Sequence, residues 1–281
     1  MHWKVGGKEF RMRTLAVVVA VLVAGSAMTI GVAPTLATSD ASTAGTTIVV
    51  EADGSGDYEN LWWAIDNASA GDVIEVGPGT YSSSVGSGLN VIDKPLTIRG
   101  DPAPGTVGVG PDAPVFREYK SGPSFVLTAN ASGSTIEGVA FEPLYAQTGL
   151  SLSLAAGETL AGVTIQDVDF RRIDNNGRVG IDGSGIDGNL DSFVVERTRF
   201  VGSGSDGSRY GVQILDDDDN SASTTGTTYS NVAFVDNVFD GVGEAVDIQH
   251  GTDDGGVSNV VFRVRFSKTV RVGASRIFVY L

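Results

Sequence analysis

The chain has 281 residues, 41% hydrophobic and only 8% aromatic, with 38 glycines, no cysteine and a formal net charge of −15. The lack of cysteine excludes disulfide scaffolds and cysteine-based metal or redox sites. The acidic balance disfavours nucleic acid and anionic membrane surfaces as partners, and the length suits one large domain of short strands and tight turns.

Lys4, Lys8, Arg11 and Arg13 precede an uncharged stretch, residues 14–39, whose densest apolar part is 15–24. A basic start, a short apolar middle and small residues after it are the layout of a secretory signal, with cleavage near Ala27 or Ala37. The same uncharged span is long enough to stay as a membrane anchor. Residues 1–37 are therefore read as a signal peptide or N-terminal anchor, the only part expected to meet a membrane. They hold four of the 19 basic and one of the 34 acidic residues, so the remainder carries −18. Such a surface suits a halophilic protein kept soluble in high salt, and it can also gather cations. Two sequons, Asn67-Ala68-Ser69 and Asn130-Ala131-Ser132, fit export.

Residues 38–46, "TSDASTAGT", form a polar linker, and residues 47–51 read as a strand. In the segment that follows, Asp57 is expected to cap a helix that stops at Gly71. Tyr58, Leu61, Trp62, Ile65 and Ala68 share one face at helical period. Residues 73–76 make a short strand, and "GPGTY" a turn.

After Tyr81 the helical period does not return, and short apolar runs alternate with Gly, Asn, Asp and Ser. Aligning on phenylalanine exposes a repeat. Phe141, Phe170, Phe200 and Phe239 each have an apolar residue five positions earlier: Ile136, Ile165, Val195 and Phe234. In "VTIQDVDF", Val163 and Ile165 alternate, then the phase slips by one before Val168 and Phe170; "NVAFVDNVF" does the same. A one-residue slip flips the face of a strand. If all these residues point inward, the slip is a corner, best suited to Asn or Gly near left-handed geometry. Strand, corner, strand, recurring every few dozen residues, describes a solenoid of parallel strands. A β-sandwich is the alternative, but it requires hairpin signals between neighbouring runs, and few are present. A solenoid has open ends that need covers. The helix before the first coil is thus read as a lid, its aromatic stripe structural and no platform for a sugar or cofactor.

These residues carry a resemblance. "VEADGSGDYENLWWAIDNASAGDVIEVGPGTY", with "KPLTIRGD" after it, resembles the opening of the pectin-lyase-like superfamily, above all of pectin methylesterases and of extracellular β-helix repeat proteins from salt-adapted microbes. The resemblance covers about residues 47–101. It implies a right-handed single-stranded parallel β-helix with an N-terminal capping helix over residues 47–281. The methylesterase signatures of that family (Gln-Ala-Val, Gln-Asp-Thr, Asp-Phe-Ile-Phe-Gly and Gly-Arg-Pro-Trp) are absent, which places pectinesterase activity below the other readings.

Residues 229–261 more weakly resemble the calcium-binding coils of pectate lyases. The resemblance implies Asp236, Asp240, Glu244 and Asp247 as a Ca²⁺-binding wall of hard oxygen ligands. In such a site the metal acidifies a uronate C5 proton, and a base removes it for β-elimination. Lys268 and Arg271 are the expected bases. The pattern departs from the family: Glu244 and Asp247 are three apart instead of four, and Asn237 stands where histidine is usual. "LDDDDN" around Asp216 and "IDGSGIDG" around Asp182 and Asp187 read as solvated loop and turn.

The last coil breaks the repeat. "SNVVFRVRF" lacks one residue relative to "SNVAFVDNVF" and so loses the corner. After Asp254 no acid follows, whereas Arg263, Arg265, Lys268, Arg271 and Arg276 supply five bases. Residues 263–281 are therefore expected either to be a non-native or truncated end, as after a frame shift, or to be a basic edge that grips an anionic polymer. The combined expectation is a secreted or cell-surface monomer that engages extracellular polysaccharide without catalysis. The alternative is a Ca²⁺-dependent, pectate-type polysaccharide lyase.

Overall fold

The computed structural model describes residues 4–5, 8–9, 45–82, 90–102, 106–117, 123–142, 148–173, 179–203, 210–216, 227–249, 256–266, 271–273 and 278–279. Residues 1–42 and 43–281 are separate units. In the first, Lys4–Val5 pairs antiparallel with Lys8–Glu9, and the expected signal or anchor otherwise lies outside the described residues. No helix among the described residues is long and apolar enough to cross a membrane.

In the second unit every pairing between described strands is parallel, and one isolated bridge, Pro102 with Val109, is antiparallel. The 14-stranded sheet holds two rows. One runs from Thr47–Val50 through Val73–Val76, Thr97–Arg99, Thr135–Glu137, Thr164–Gln166 and Val194–Glu196 to Ala233–Asp240; the other returns through Arg199–Gly202, Asp169–Ile173 and Ala140–Phe141 to Thr80–Tyr81. A seven-stranded sheet runs from Asn90–Ile92 to Arg271–Gly273, and a four-stranded one from Thr159–Ala161 to Gly256–Ser258. Parallel neighbours need a long crossover. Here the crossover of each strand is the rest of its own coil. The result is a parallel β-helix; a sandwich would need antiparallel hairpins.

The phenylalanine repeat is the spine of the core. Phe141 pairs in register with Phe170, Phe170 with Phe200, and Phe200 with Phe239. Their rings stack at 5.0, 5.0 and 4.6 Å with interplanar angles of 9°, 11° and 4°. A second column of Ile136, Ile165, Val195 and Phe234 is also in register and buried. Parallel in-register pairing places like residues over like, so each ring covers the next and none meets water.

The phase slip is a corner. Gly138, Asp167, Arg197 and Asp236 occupy equivalent positions with φ of 66°, 53°, 46° and 55°. The amides of the first three are bonded to the next coil: Gly138 to the Asp167 carbonyl (3.1 Å), Asp167 to that of Glu196 (3.2 Å) and Arg197 to that of Val235 (3.0 Å). The expected Asn or Gly is met only at Gly138. Left-handed backbone costs a side-chain-bearing residue about 1–2 kcal/mol. At Arg197 the inter-coil hydrogen bond and ion pairs to Asp167 (2.8 Å) and Glu196 (2.6 Å) offset that cost. In the last coil the corner is missing, as the sequence spacing implies: Val235 pairs with Arg263 and Asn237 with Val264, leaving Asp236 without a counterpart.

The capping helix is shorter than its period suggests. It spans Leu61–Asn67 with Asn60 at the N-cap, whereas the Asp57 carboxylate accepts from the Val49 amide at 2.8 Å. The helix ends before Gly71, at Ala68, whose backbone turns extended (φ −69°, ψ 149°), and Lys94 Nζ donates to the carbonyls of Ile65 (3.1 Å) and Ala68 (3.2 Å) left open there. A cation there also suits the negative end of the helix. Leu61, Ala64, Ile65 and Ala68 are buried over the first strands, which confirms the lid. Trp62 is half-buried, and its neighbour Trp63, 48% exposed, points away from the core.

Below the helix Tyr81 is buried, its hydroxyl directed at the carbonyls of Gly77 (2.9 Å) and Val50 (3.2 Å). Burial first, then the negative charge of Glu51, pushes its pKa up to about 12. A raised folded pKa means the neutral phenol stabilises the fold fully below its ordinary value of 10.0, and this contribution is lost as pH rises towards about 12. Urea midpoints should therefore show the wild type's advantage over Tyr81→Phe shrinking between those pH values. A constant difference would contradict the burial of the phenol.

Candidate functional site

The polar outer faces of the 14-stranded and the seven-stranded sheets differ in kind. On the 14-stranded sheet the charges are spent on one another. Arg99 Nε meets Glu137 at 2.6 Å, Gln166 Nε2 donates to the same carboxylate at 2.5 Å, and Arg197 Nη2 donates to Gln166 Oε1 at 3.2 Å. Asp169, fully buried, accepts from Arg171 Nη2 (3.0 Å) and from Arg199. Gly108, at φ +90°, closes over it; a Cβ there would fall 2.2 Å from Asp169 Oδ1. Hydrogen bonding to Asp167 holds the Arg197 guanidinium further above its ordinary pKa, and Asp169 does the same for Arg199. Both stay cationic and are unfit to remove a substrate proton.

The outer face of the seven-stranded sheet is less committed. Ser151, Asp182, Gln213 and Asp247 stand in one register column, each one strand further along. Adjacent strands lie about 4.8 Å apart, so this column repeats polar groups at that step along the solenoid. Towards the N-terminal end the same column continues as Val126 and Val91, the latter 38% exposed. The Asp182 carboxylate accepts from Thr148 Oγ1 (3.3 Å) and from the Ser184 amide (2.9 Å). Ser151 and Gln213 are half-buried, and their side chains enter no hydrogen bond with another described residue. Asp247 is 4% exposed and has a partner of its own. Such a row accepts and donates hydrogen bonds, which suits hydroxyl-bearing ligands.

The acids singled out in the sequence fall in two elements. Asp236 and Asp240 lie on Ala233–Asp240, and Glu244 and Asp247 on Glu244–Gln249 of the other sheet. Asp236 sits at the corner, with its carboxylate 2.5 Å from Arg263 Nη2. Asp240 is exposed on the row of Arg199, whose cationic form its charge favours. Glu244 pairs in register with Tyr210 and Arg271. No group of three or more His, Asp or Glu side chains among the described residues is placed to hold a metal ion, these four included. Of the expected bases, Lys268 lies outside the described residues and Arg271 is described only through its backbone. Sequence reasoning missed Ser151, Asp182 and Gln213 as a set. The signal was there, as one outward polar residue at the same offset in "GLSLSL", "GIDGSG" and "GVQIL".

No protein family profile and no curated protein matches the chain. Among solved structures, an alginate lyase of the PL6 family is 16% identical with a TM-score of 0.39, over 84% of this chain and 40% of that one. A rhamnogalacturonan lyase is 12% identical with a TM-score of 0.39, over 84% of this chain and 60% of its own. The chain thus spans less than two thirds of either. The class that its coils define is the single-stranded parallel β-helix with an N-terminal capping helix.

Proposed function

We propose that the protein is an exported or surface-attached β-helix that engages extracellular polysaccharide along the outer face of its seven-stranded sheet, without catalysis. The observation that carries the reading is the column Ser151, Asp182, Gln213: polar side chains repeated at strand spacing, two of them unengaged, on a face long enough for several sugar units. A polymer with a hydroxyl on each unit can meet the same donor or acceptor at each coil. The strongly acidic surface repels polyanions, so the polymer is expected to be neutral or sparsely charged. The ion-paired 14-stranded face offers a ligand little, because each of its charges would have to give up a partner.

The test is retention by neutral and acidic polysaccharides in affinity electrophoresis, comparing the wild type with the triple variant Ser151→Ala, Asp182→Ala, Gln213→Ala. A neutral polymer should retard the wild type at least tenfold more than the variant. Equal retardation would remove the site. Release of unsaturated uronides that is seen at ultraviolet wavelengths and stops with a calcium chelator would replace this reading with the Ca²⁺-dependent lyase.

A further inference from the structure

We infer that the cleft beside the capping helix is a second carbohydrate site, specific for a single neutral pyranose. The cleft measures about 430 Å³ and lies between the helix and the strand Thr80–Tyr81. Its apolar wall is the indole pair Trp62 and Trp63, with ring centroids 3.9 Å apart and an interplanar angle of 26°; Trp62, expected from its helical stripe to be purely structural, is only half-buried and lines the cleft. Glu59, Asn60, Thr80 and Ser82 form its polar rim.

Three observations point to a ligand. The core does not need Trp63: Leu61, Ala64, Ile65 and Ala68 already seal the first coil, while Trp63 stays 48% exposed. Among the described residues it is the only aromatic that is exposed to that degree. Next, the indole is held in place. Trp62 stacks behind it, with the centroids 3.9 Å apart, while Asn67 Nδ2 donates to the Trp63 backbone carbonyl at 2.8 Å and fixes the helix turn that carries the pair. A braced ring binds with less ordering cost than a free one. Finally, the wall and rim differ in character as the two aspects of a pyranose do. The sugar's C–H face is apolar and matches an indole plane, while its ring-edge hydroxyls match carboxylate, amide and hydroxyl groups. Tyr81 also lines the cleft, but its hydroxyl is directed to backbone carbonyls. The local charge selects against uronates: Glu59 lines the cleft, and Asp53 and Asp57 are exposed nearby in the chain.

The inference does not depend on the reading of the long face, with which the cleft shares no residue. It is tested by titration calorimetry of the full chain with methyl β-glucoside, methyl β-galactoside, methyl α-mannoside and cellobiose, with galacturonate and cyclohexanol as controls. At least one neutral sugar should bind saturably. Trp63→Ala should weaken it at least tenfold at an unchanged unfolding midpoint, and the Ser151/Asp182/Gln213 triple variant should bind it as the wild type does. The inference is overturned if no neutral sugar binds or if Trp63→Ala binds equally well. It is equally overturned if galacturonate binds more tightly than every neutral sugar, or if cyclohexanol, which lacks the hydroxyl pattern, matches them.

Discussion

Phe200→Ala is expected to destabilise the β-helix by about 3–5 kcal/mol, the range for removing a buried aromatic ring. Phe200 is fully buried and lies between two partners, Phe170 at 5.0 Å and Phe239 at 4.6 Å, so truncation strips one face from each neighbour as well as opening a cavity. The neighbours cannot close the gap, because each is fixed in register by its own strand. Stacked repeats communicate mainly with the next repeat. Loss of amide-exchange protection should therefore be greatest at Asp169–Ile173, Arg199–Gly202 and Ala233–Asp240. A midpoint in urea within about 0.5 kcal/mol of the wild type, the range of an unremarkable surface change, would refute the ladder as the stabilising spine.

Gly180→Val is expected to cost about 3 kcal/mol or more, at the upper end of overpacking effects. A Cβ at Gly180 would lie 2.5 Å from the Gly211 carbonyl oxygen and 2.7 Å from the Phe200 ring. Neither can retreat, the first being sheet backbone and the second a rung of the aromatic ladder. Gly149 and Gly211 have the same relation to Phe170 and Phe239, with closest ring approaches of 2.7 and 2.6 Å. Each of these three coils thus sets one glycine against one phenylalanine. Gly183→Ala, three residues along the same strand, is the control. Its nearest atom is a Leu152 methyl at 3.2 Å, which can give way, and the change should stay within about 1 kcal/mol. If both variants unfold at the same urea concentration, the glycine–phenylalanine contact does not limit packing.

Much of the fold is legible in the sequence, and particular residues show why. The five-residue offset from Ile165 to Phe170 and from Phe234 to Phe239 encodes strand, corner, strand, because only a turn restores an inward side chain after a phase slip. The lid was legible for a related reason: one apolar helical stripe, placed before the first coil, has nowhere to go but the open end. The corner residues were not. Arg197 adopts left-handed geometry because Asp167, one coil away, and its neighbour Glu196 hold its guanidinium, and no local preference forecasts a partner 30 positions back. The four acids read as a calcium wall sit within a dozen residues, yet the turn at Gly241 divides them between two sheets.

By itself the sequence determined the kind of object this protein is: a stack of coils with a phenylalanine spine, a lidded N-terminal end and an acidic exterior. Periodicity and burial are properties of residues close together in the chain, and these the order of amino acids states directly. Tertiary structure alone decided which polar groups meet. It neutralised one face by pairing Asp169 with Arg199, left Ser151 and Gln213 unengaged on another, and set Trp63 beside a cleft instead of beneath the lid. Those outcomes depend on coils of unequal length, with phenylalanines 29, 30 and 39 residues apart, being brought into a common register by backbone hydrogen bonds.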